Sequence, residues 1–185
     1  MPKVSDEHRE ARREQILAGA RTAFSRHGYE GATVARLEEA TGLSRGAIFN
    51  YFPDKWSLFK ALAERDQHRF LDLLVEHGLD AVLQSLAEES PDWLGVYFEL
   101  TRRLRTNPEL LEEFQHRSPP ELERAADETL ARLRSEGRVR DDVSFETLNA
   151  FINVVANGLA LGRSLGMRVD LEEFLKLVHR GIDPE

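Results

Sequence analysis

Apolar residues recur at three- and four-residue intervals along almost the whole chain, and no run alternates apolar with polar residues as a half-buried strand would. Ile16, Leu17, Ala20, Ala23 and Phe24 mark one stripe of a first helix predicted over residues 5–27, and Gly28 sits where a left-handed C-terminal cap is wanted. Thr33 stands in position to cap a short second helix over 34–41. Gly42 makes a turn, and a third short helix begins at Ser44 or Arg45 and ends near Tyr51. Pro53 then breaks the chain and Asp54 caps a fourth helix, with Lys55 in its first turn. Farther on, the spacing predicts helices over 67–77, 78–88, 93–106, 108–115, 120–136, 145–165 and 171–182, with Ser118-Pro119-Pro120 and Gly137 as the clearest punctuation. The fold class is all-α, with a three-helix domain over 1–55 and a larger helical domain over 56–185.

Two helices as short as 34–41 and 45–51 have no independent stability, because nucleation is costly and few hydrogen bonds follow it. They have to pack on each other and on the first helix. Val34, Leu37 and Ala40 give one a buried face, and Leu43, Ala47, Ile48 and Phe52 give one to the other. Ala40 is small where the two approach, and Gly42 permits the sharp turn. That is a helix-turn-helix, whose second helix presents its leading end to a DNA major groove.

The polar residues lie where such docking uses them. Ser44, Arg45 and Gly46 open the second helix of the motif, and Arg45 is the candidate for a bidentate contact to guanine. Asn50 and Tyr51 follow a turn and a half later, in reach of a base or a flanking phosphate. Thr33 and Lys55 lie at helix N-termini, where the helix dipole favours a phosphate. Tyr29 and Phe52 are better placed to fill the small domain's core than to meet DNA.

The net charge of −8 sits oddly with nucleic-acid binding until it is divided along the chain. Residues 1–60 carry ten Lys/Arg against eight acids, or +2, and the remainder carries fifteen against twenty-five, or −10. Phosphates respond to the local field, so the DNA-facing surface belongs to the N-terminal part. Arg9, Arg12 and Arg13 alternate with Glu7, Glu10 and Glu14, which suits a solvated helix face better than a groove-binding arm.

The absence of cysteine excludes disulfides, thiolate nucleophiles and cysteine-held zinc. The polar residues 1–13 suit no secretory signal, and no apolar stretch is long enough to span a bilayer, so a cytoplasmic protein without membrane partners is expected. The six histidines lack paired metal spacing. The adjacent acids Glu38-Glu39, Glu88-Glu89, Glu112-Glu113 and Glu172-Glu173 point in different directions on their helices. Neither a nucleophile elbow nor a phosphate loop occurs, and no enzyme is expected. Trp93, Tyr97, Phe98 and Leu100 suit a core as well as a pocket wall. Phe145, Leu148, Ile152, Val155, Leu159 and Gly162, widened by Phe151, Val154 and Leu161, form a broad apolar face with Leu171, Phe174, Leu175 and Val178. Such a face suits internal core or a two-fold dimer interface, and the latter matches a reader of palindromic half-sites.

The run Ile16-Leu17-Ala18-Gly19-Ala20, then Phe24, His27-Gly28-Tyr29, Ala32-Thr33-Val34, Gly42-Leu43-Ser44-Arg45-Gly46, Phe49-Asn50-Tyr51-Phe52, Asp54-Lys55 and Leu58-Phe59 resembles the TetR family of bacterial repressors. The resemblance covers about residues 16–62. It implies a homodimer joined through the last two helices, an operator of double-stranded, pseudo-palindromic DNA, and a small-molecule effector bound in the larger domain. Carried over by position, Thr33, Ser44, Arg45, Gly46, Asn50, Tyr51 and Lys55 are its DNA contacts. Phe49 stands where many members have Tyr.

A narrower resemblance, through residues 1–4, 36–40, 44–49, Phe98-Glu99-Leu100, Leu104-Arg105 and 138–143, is to the branch of that family that represses aconitase in actinobacteria. That branch senses citrate with a divalent metal, which implies effector-binding positions at Glu99, Arg132 and His179, and control of aconitase or related central metabolism. A guanidinium at Arg132 suits a tricarboxylate. His179 replaces the branch's metal-binding Glu, and a neutral imidazole is a poor magnesium ligand. No resident cofactor is therefore expected, with a divalent metal carried by a carboxylate ligand as the alternative.

Overall fold

The computed structural model describes residues 6–115 and 120–184. The match at residues 1–4, His116 and the Ser118-Pro119 break lie outside them. Among the described residues every regular element is an α-helix: α1 (Asp6–Gly31), α2 (Val34–Thr41), α3 (Arg45–Phe49), α4 (Lys55–His77), α5 (Leu79–Glu88), α6 (Pro91–Glu99), α7 (Thr101–Thr106), α8 (Pro108–Gln115), α9 (Pro120–Ser135), α10 (Phe145–Ser164) and α11 (Leu171–Ile182). The chain forms two compact units, Met1–Asp66 with Gly95–Arg117, and Gln67–Leu94 with Ser118–Glu185. The unit holding the helix-turn-helix thus extends past the expected limit at residue 55 and takes in a later stretch of chain. The physical reason is aromatic packing.

In the first unit the stripe of α1 is the core: Ile16, Leu17, Ala20 and Phe24 are 0% exposed. Burial of each large side chain contributes about 1.5–3 kcal/mol. Leu37 of α2, Ile48 of α3 and Leu58, Phe59 and Leu62 of α4 close around it. Phe24 stacks on Tyr29 at 5.6 Å, and Phe59 meets both rings edge-on. Tyr97 of α6 and Phe114 of α8 then pack on Phe59 at 5.3 and 6.2 Å, which joins 95–117 to the helices of the helix-turn-helix, the head of the chain. Beside them Asp66 is buried and fully occupied. It accepts from the Arg21 guanidinium at 3.0 and 3.3 Å and from the Tyr97 hydroxyl at 2.9 Å.

Two boundaries depart from the sequence expectation. Residues 55–77 form one helix, not two, because no Gly or Pro interrupts them and Leu58, Leu62 and Asp66 continue one buried face. Residues 93–106 divide at Leu100, whose backbone stays near-helical (φ −76°, ψ −14°). Its amide still donates to Val96 at 3.3 Å and its carbonyl accepts from Leu104 at 2.9 Å, so helical hydrogen bonding runs on across the break.

In the second unit α5 packs on α10 and α11, with Leu83, Leu148, Leu159, Val178 and Ile182 buried. Gly137 (φ 66°) ends α9 in the left-handed conformation that its lack of Cβ allows. The following loop is tied down by Arg134, which donates to the carbonyls of Asp141 and Val143, and by Arg140, whose amide donates to Ile182 at 2.8 Å. Ser144 and Asp170 cap α10 and α11. No helix of the described residues is long and apolar enough to cross a membrane.

Candidate nucleic-acid interface

Local sequence rules build the helix-turn-helix almost residue by residue. Thr33 Oγ1 accepts the amide of Arg36 at 3.5 Å and starts α2. Gly42, at φ 69°, ends it by donating its amide to Glu38 at 2.9 Å. Ser44 Oγ accepts the amide of Ala47 at 3.4 Å and starts α3. Asp54 Oδ1 accepts the amide of Ser57 at 2.7 Å and starts α4. A contact across the turn completes the motif: Glu38 Oε1 accepts the Arg45 amide at 2.6 Å, fastening α3 to α2.

This arrangement leaves one edge of α3 outward and the other in the core. Ile48 is 0% exposed, whereas Ser44, Arg45, Gly46 and Asn50 are exposed. The Arg45 guanidinium lies over the Phe49 ring, 5.9 Å from its centroid, one turn along the same helix. A Cβ on Gly46 would meet nothing within 4 Å. Glycine inside a helix costs about 0.5–1 kcal/mol relative to alanine, and no neighbour within the protein demands it here. The missing side chain clears space on the outer surface. Tyr51 is half-buried at the far end of the same edge, and Thr33 is exposed at the head of α2.

Lys55 is differently employed from the other six. Its ammonium donates to the carbonyl oxygens of Tyr29 at 2.7 Å and Glu30 at 3.3 Å, pairs with the Glu30 carboxylate at 3.5 Å, and lies 4.5 Å from the Tyr29 ring centroid. It closes the end of α1. Burial pushes the Tyr29 phenol beneath it up to about 12, so that ring stays neutral.

Residues 16–62 match the bacterial regulatory proteins of the tetR family. Over 161 residues the chain is 44% identical to the HTH-type transcriptional repressor Rv1474c of Mycobacterium tuberculosis, covering 86% of both chains. The chain belongs to the TetR family. It is also 43% identical, over 92% of both chains, to the HTH-type transcriptional repressor AcnR of Corynebacterium efficiens, in the branch that the sequence pointed to. Salmonella enterica GusR superposes with a TM-score of 0.72 at 18% identity, covering 97% of this chain and 96% of its own, which supports the fold.

The three positions carried over from that branch as effector ligands are each occupied by protein partners. Glu99 accepts the amides of Tyr29 at 2.8 Å and Glu30 at 3.2 Å. Arg132 is exposed and pairs with Glu136 at 3.3 Å along α9. His179 places Nε2 2.8 Å from Asp80 and Nδ1 3.2 Å from Asp183, and those hydrogen bonds hold its pKa above the usual histidine value. Both ring nitrogens face carboxylates, and the imidazolium that this pairing favours has no lone pair left for an ion. No group of three or more His, Asp or Glu among the described residues is placed to hold a metal. The donor set does not fit the divalent ion that the resemblance suggested.

Several structural residues of the head escaped sequence reasoning. Gln15 Nε2 donates to the Thr41 carbonyl at 2.9 Å, and Arg36 donates to Gly31 at 2.7 Å. With Glu38 and Glu99 they satisfy the ends of α1, α2 and α3 without a spacing signal, whereas the Thr, Ser and Asp caps and Gly42 carry one.

Proposed function

We propose that the chain is a homodimeric transcriptional repressor of the TetR type, acting in the cytoplasm, whose two α3 helices enter successive major grooves of one pseudo-palindromic DNA operator. The observation that carries this reading is the division of α3: a fully buried Ile48 on one side and an outward Ser44-Arg45-Gly46 edge on the other. Arg45 reads guanine, the open surface at Gly46 lets the duplex approach, and Thr33, Asn50 and Tyr51 meet bases or phosphates. Lys55 acts first on the end of α1.

The second copy docks through α10 and α11. Val154, Leu161 and Leu165 of α10 and its end are 70%, 40% and 77% exposed, and Leu177 of α11 is 63% exposed. Apolar surface of this extent on adjacent elements is characteristic of an interface. The recess of about 200 Å³ on the same helices, lined by Val155, Gly158, Leu159, Met167, Val169 and Phe174, is apolar and below the usual size of a ligand site. It receives side chains of the partner rather than an effector. The effector is a small molecule taken up by the larger helical domain, and its binding shifts the spacing of the two α3 helices away from that of the operator. The similarity to AcnR supports aconitase or related central metabolism as the controlled process.

Selection of bound duplexes from a random pool tests the proposal. A two-fold symmetric motif whose affinity falls steeply with salt is the expected result. Recovery of unrelated sequences, or affinity indifferent to salt, overturns it.

A further inference from the structure

The geometry points to Glu99 as a positioning residue for DNA recognition, holding the segment that leads from α1 into α2. The inference rests on the reading of α3 as the DNA-contacting helix.

At Gly28 the backbone leaves the helix (φ 68°, ψ 173°), a conformation essentially reserved to glycine. The chain then restarts, with the Ala32 amide donating to the Gly28 carbonyl at 3.1 Å. The amides of Tyr29 and Glu30 open the turn after that kink, where a helix start needs partners from outside. Glu99 supplies both, one oxygen to each, at 2.8 and 3.2 Å. It approaches so closely that a Cβ on Gly28 would stand 2.6 Å from Oε2. The carbonyls of the same segment are held from the other side, by Lys55 at Tyr29 and Glu30 and by Arg36 at Gly31. The amides of Tyr29 and Glu30 and the carbonyls of residues 29–31 are thus gripped separately, and the next two residues are Ala32, fully buried, and Thr33, the cap of α2.

Glu99 is itself exposed, outside the Phe24–Tyr29–Phe59 cluster that holds the unit together. Its carboxylate fixes the course of the α1–α2 connection without filling the core. Losing it gives α2 and α3 angular freedom relative to α1, and freedom that DNA binding must remove appears as weaker operator affinity. Non-specific attraction to phosphates depends on charge and tolerates that freedom.

The test compares wild type, Glu99→Ala and Glu99→Gln in the full chain, on the selected operator and on random duplex of equal length. Amide hydrogen exchange at Tyr29 and Glu30 is followed in the free protein. Glu99→Ala is expected to exchange faster at both amides and to lose about tenfold in operator affinity, the equivalent of one charge-assisted hydrogen bond. Random-duplex affinity and melting temperature stay close to wild type. Glu99→Gln, which keeps one acceptor oxygen, falls between. Unchanged operator affinity in Glu99→Ala overturns the inference, and so does a parallel fall in operator affinity, random-duplex affinity and melting temperature, which marks a purely structural role. A wild-type protein that prefers no operator overturns the DNA reading itself, and the inference with it.

Discussion

Gly19 of α1 lies directly against Thr41 at the end of α2: a Cβ on Gly19 would stand 2.6 Å from Thr41 Cγ2, 2.7 Å from its Cα and 2.8 Å from the Ala40 carbonyl oxygen. Two of those three atoms are backbone and cannot rotate away. Thr41 is buried there, donating its hydroxyl to Leu37 at 2.8 Å and accepting the Leu43 amide at 3.2 Å. The helix-turn-helix is seated on α1 by a contact between main chains.

That contact makes the sign of Gly19→Ala diagnostic. On an open helix surface alanine stabilises by about 0.5–1 kcal/mol over glycine. Against Thr41 the added methyl has to push α2 off α1, and overpacking of that kind costs about 1–3 kcal/mol. Urea denaturation should show a lowered midpoint. A raised one means the two helices are not in contact as described.

Arg45→Ala should leave the fold untouched, because the side chain is exposed and its ring partner Phe49 lies on the same helix. Losing a bidentate base contact costs about 1–3 kcal/mol per half-site. Fluorescence anisotropy should therefore show operator affinity collapsing towards that for random duplex, with helical content and dimerisation unchanged by circular dichroism and sedimentation. A variant that still prefers its operator shows that Arg45 does not read bases.

The parts of the head that were legible in the sequence are those set by neighbours in the chain. Thr33, Gly42, Ser44 and Asp54 announce helix ends because a cap acts within three or four residues of itself. The Ile16–Phe24 stripe was equally plain, since helical period and burial coincide. What the chain brings from afar was not. Glu99 reaches the Tyr29 amide across seventy residues of sequence, and resemblance alone assigned it to an effector. Lys55 carried a first-turn signal, but nothing local revealed that its ammonium would find carbonyls at the end of α1. Gly19 was one small residue among several, and only the close passage of α2 distinguishes it. Unit membership of 95–117 depends on Tyr97 and Phe114 meeting Phe59, which helical spacing alone cannot place.

The proposed dimer face can be tested without touching the helix-turn-helix. Val154 and Leu177 are large apolar residues, more than half exposed, on α10 and α11. The double substitution Val154→Glu and Leu177→Lys sets charges on a surface that a partner must desolvate. Sedimentation equilibrium should show a monomer with unchanged circular dichroism. Operator affinity should fall by orders of magnitude, since two half-sites no longer bind as one. A variant that remains dimeric places the interface elsewhere.

His179 gives the second unit a pH dependence whose sign is fixed by its partners. Nε2 faces Asp80 of α5 at 2.8 and 3.1 Å and Nδ1 faces Asp183, just past α11, at 3.2 Å. Only the imidazolium donates to both. Asp80 first and Asp183 second raise its pKa above 6.5, with partial burial opposing them. Arg140 also approaches this end of α11, donating to the Gly181 carbonyl at 3.3 Å, but it pairs its own charge with Asp142. Because the folded-state pKa is the higher one, the tie between α5 and α11 is complete below the unfolded value and weakens as pH rises through the folded one. Melting temperature measured between about pH 6 and about pH 9 should therefore decline in wild type more than in His179→Gln, which has no charge to lose. Asp80→Asn, by removing the stronger partner, should move that decline to lower pH. Parallel curves for wild type and His179→Gln show that the imidazolium does not fasten these helices.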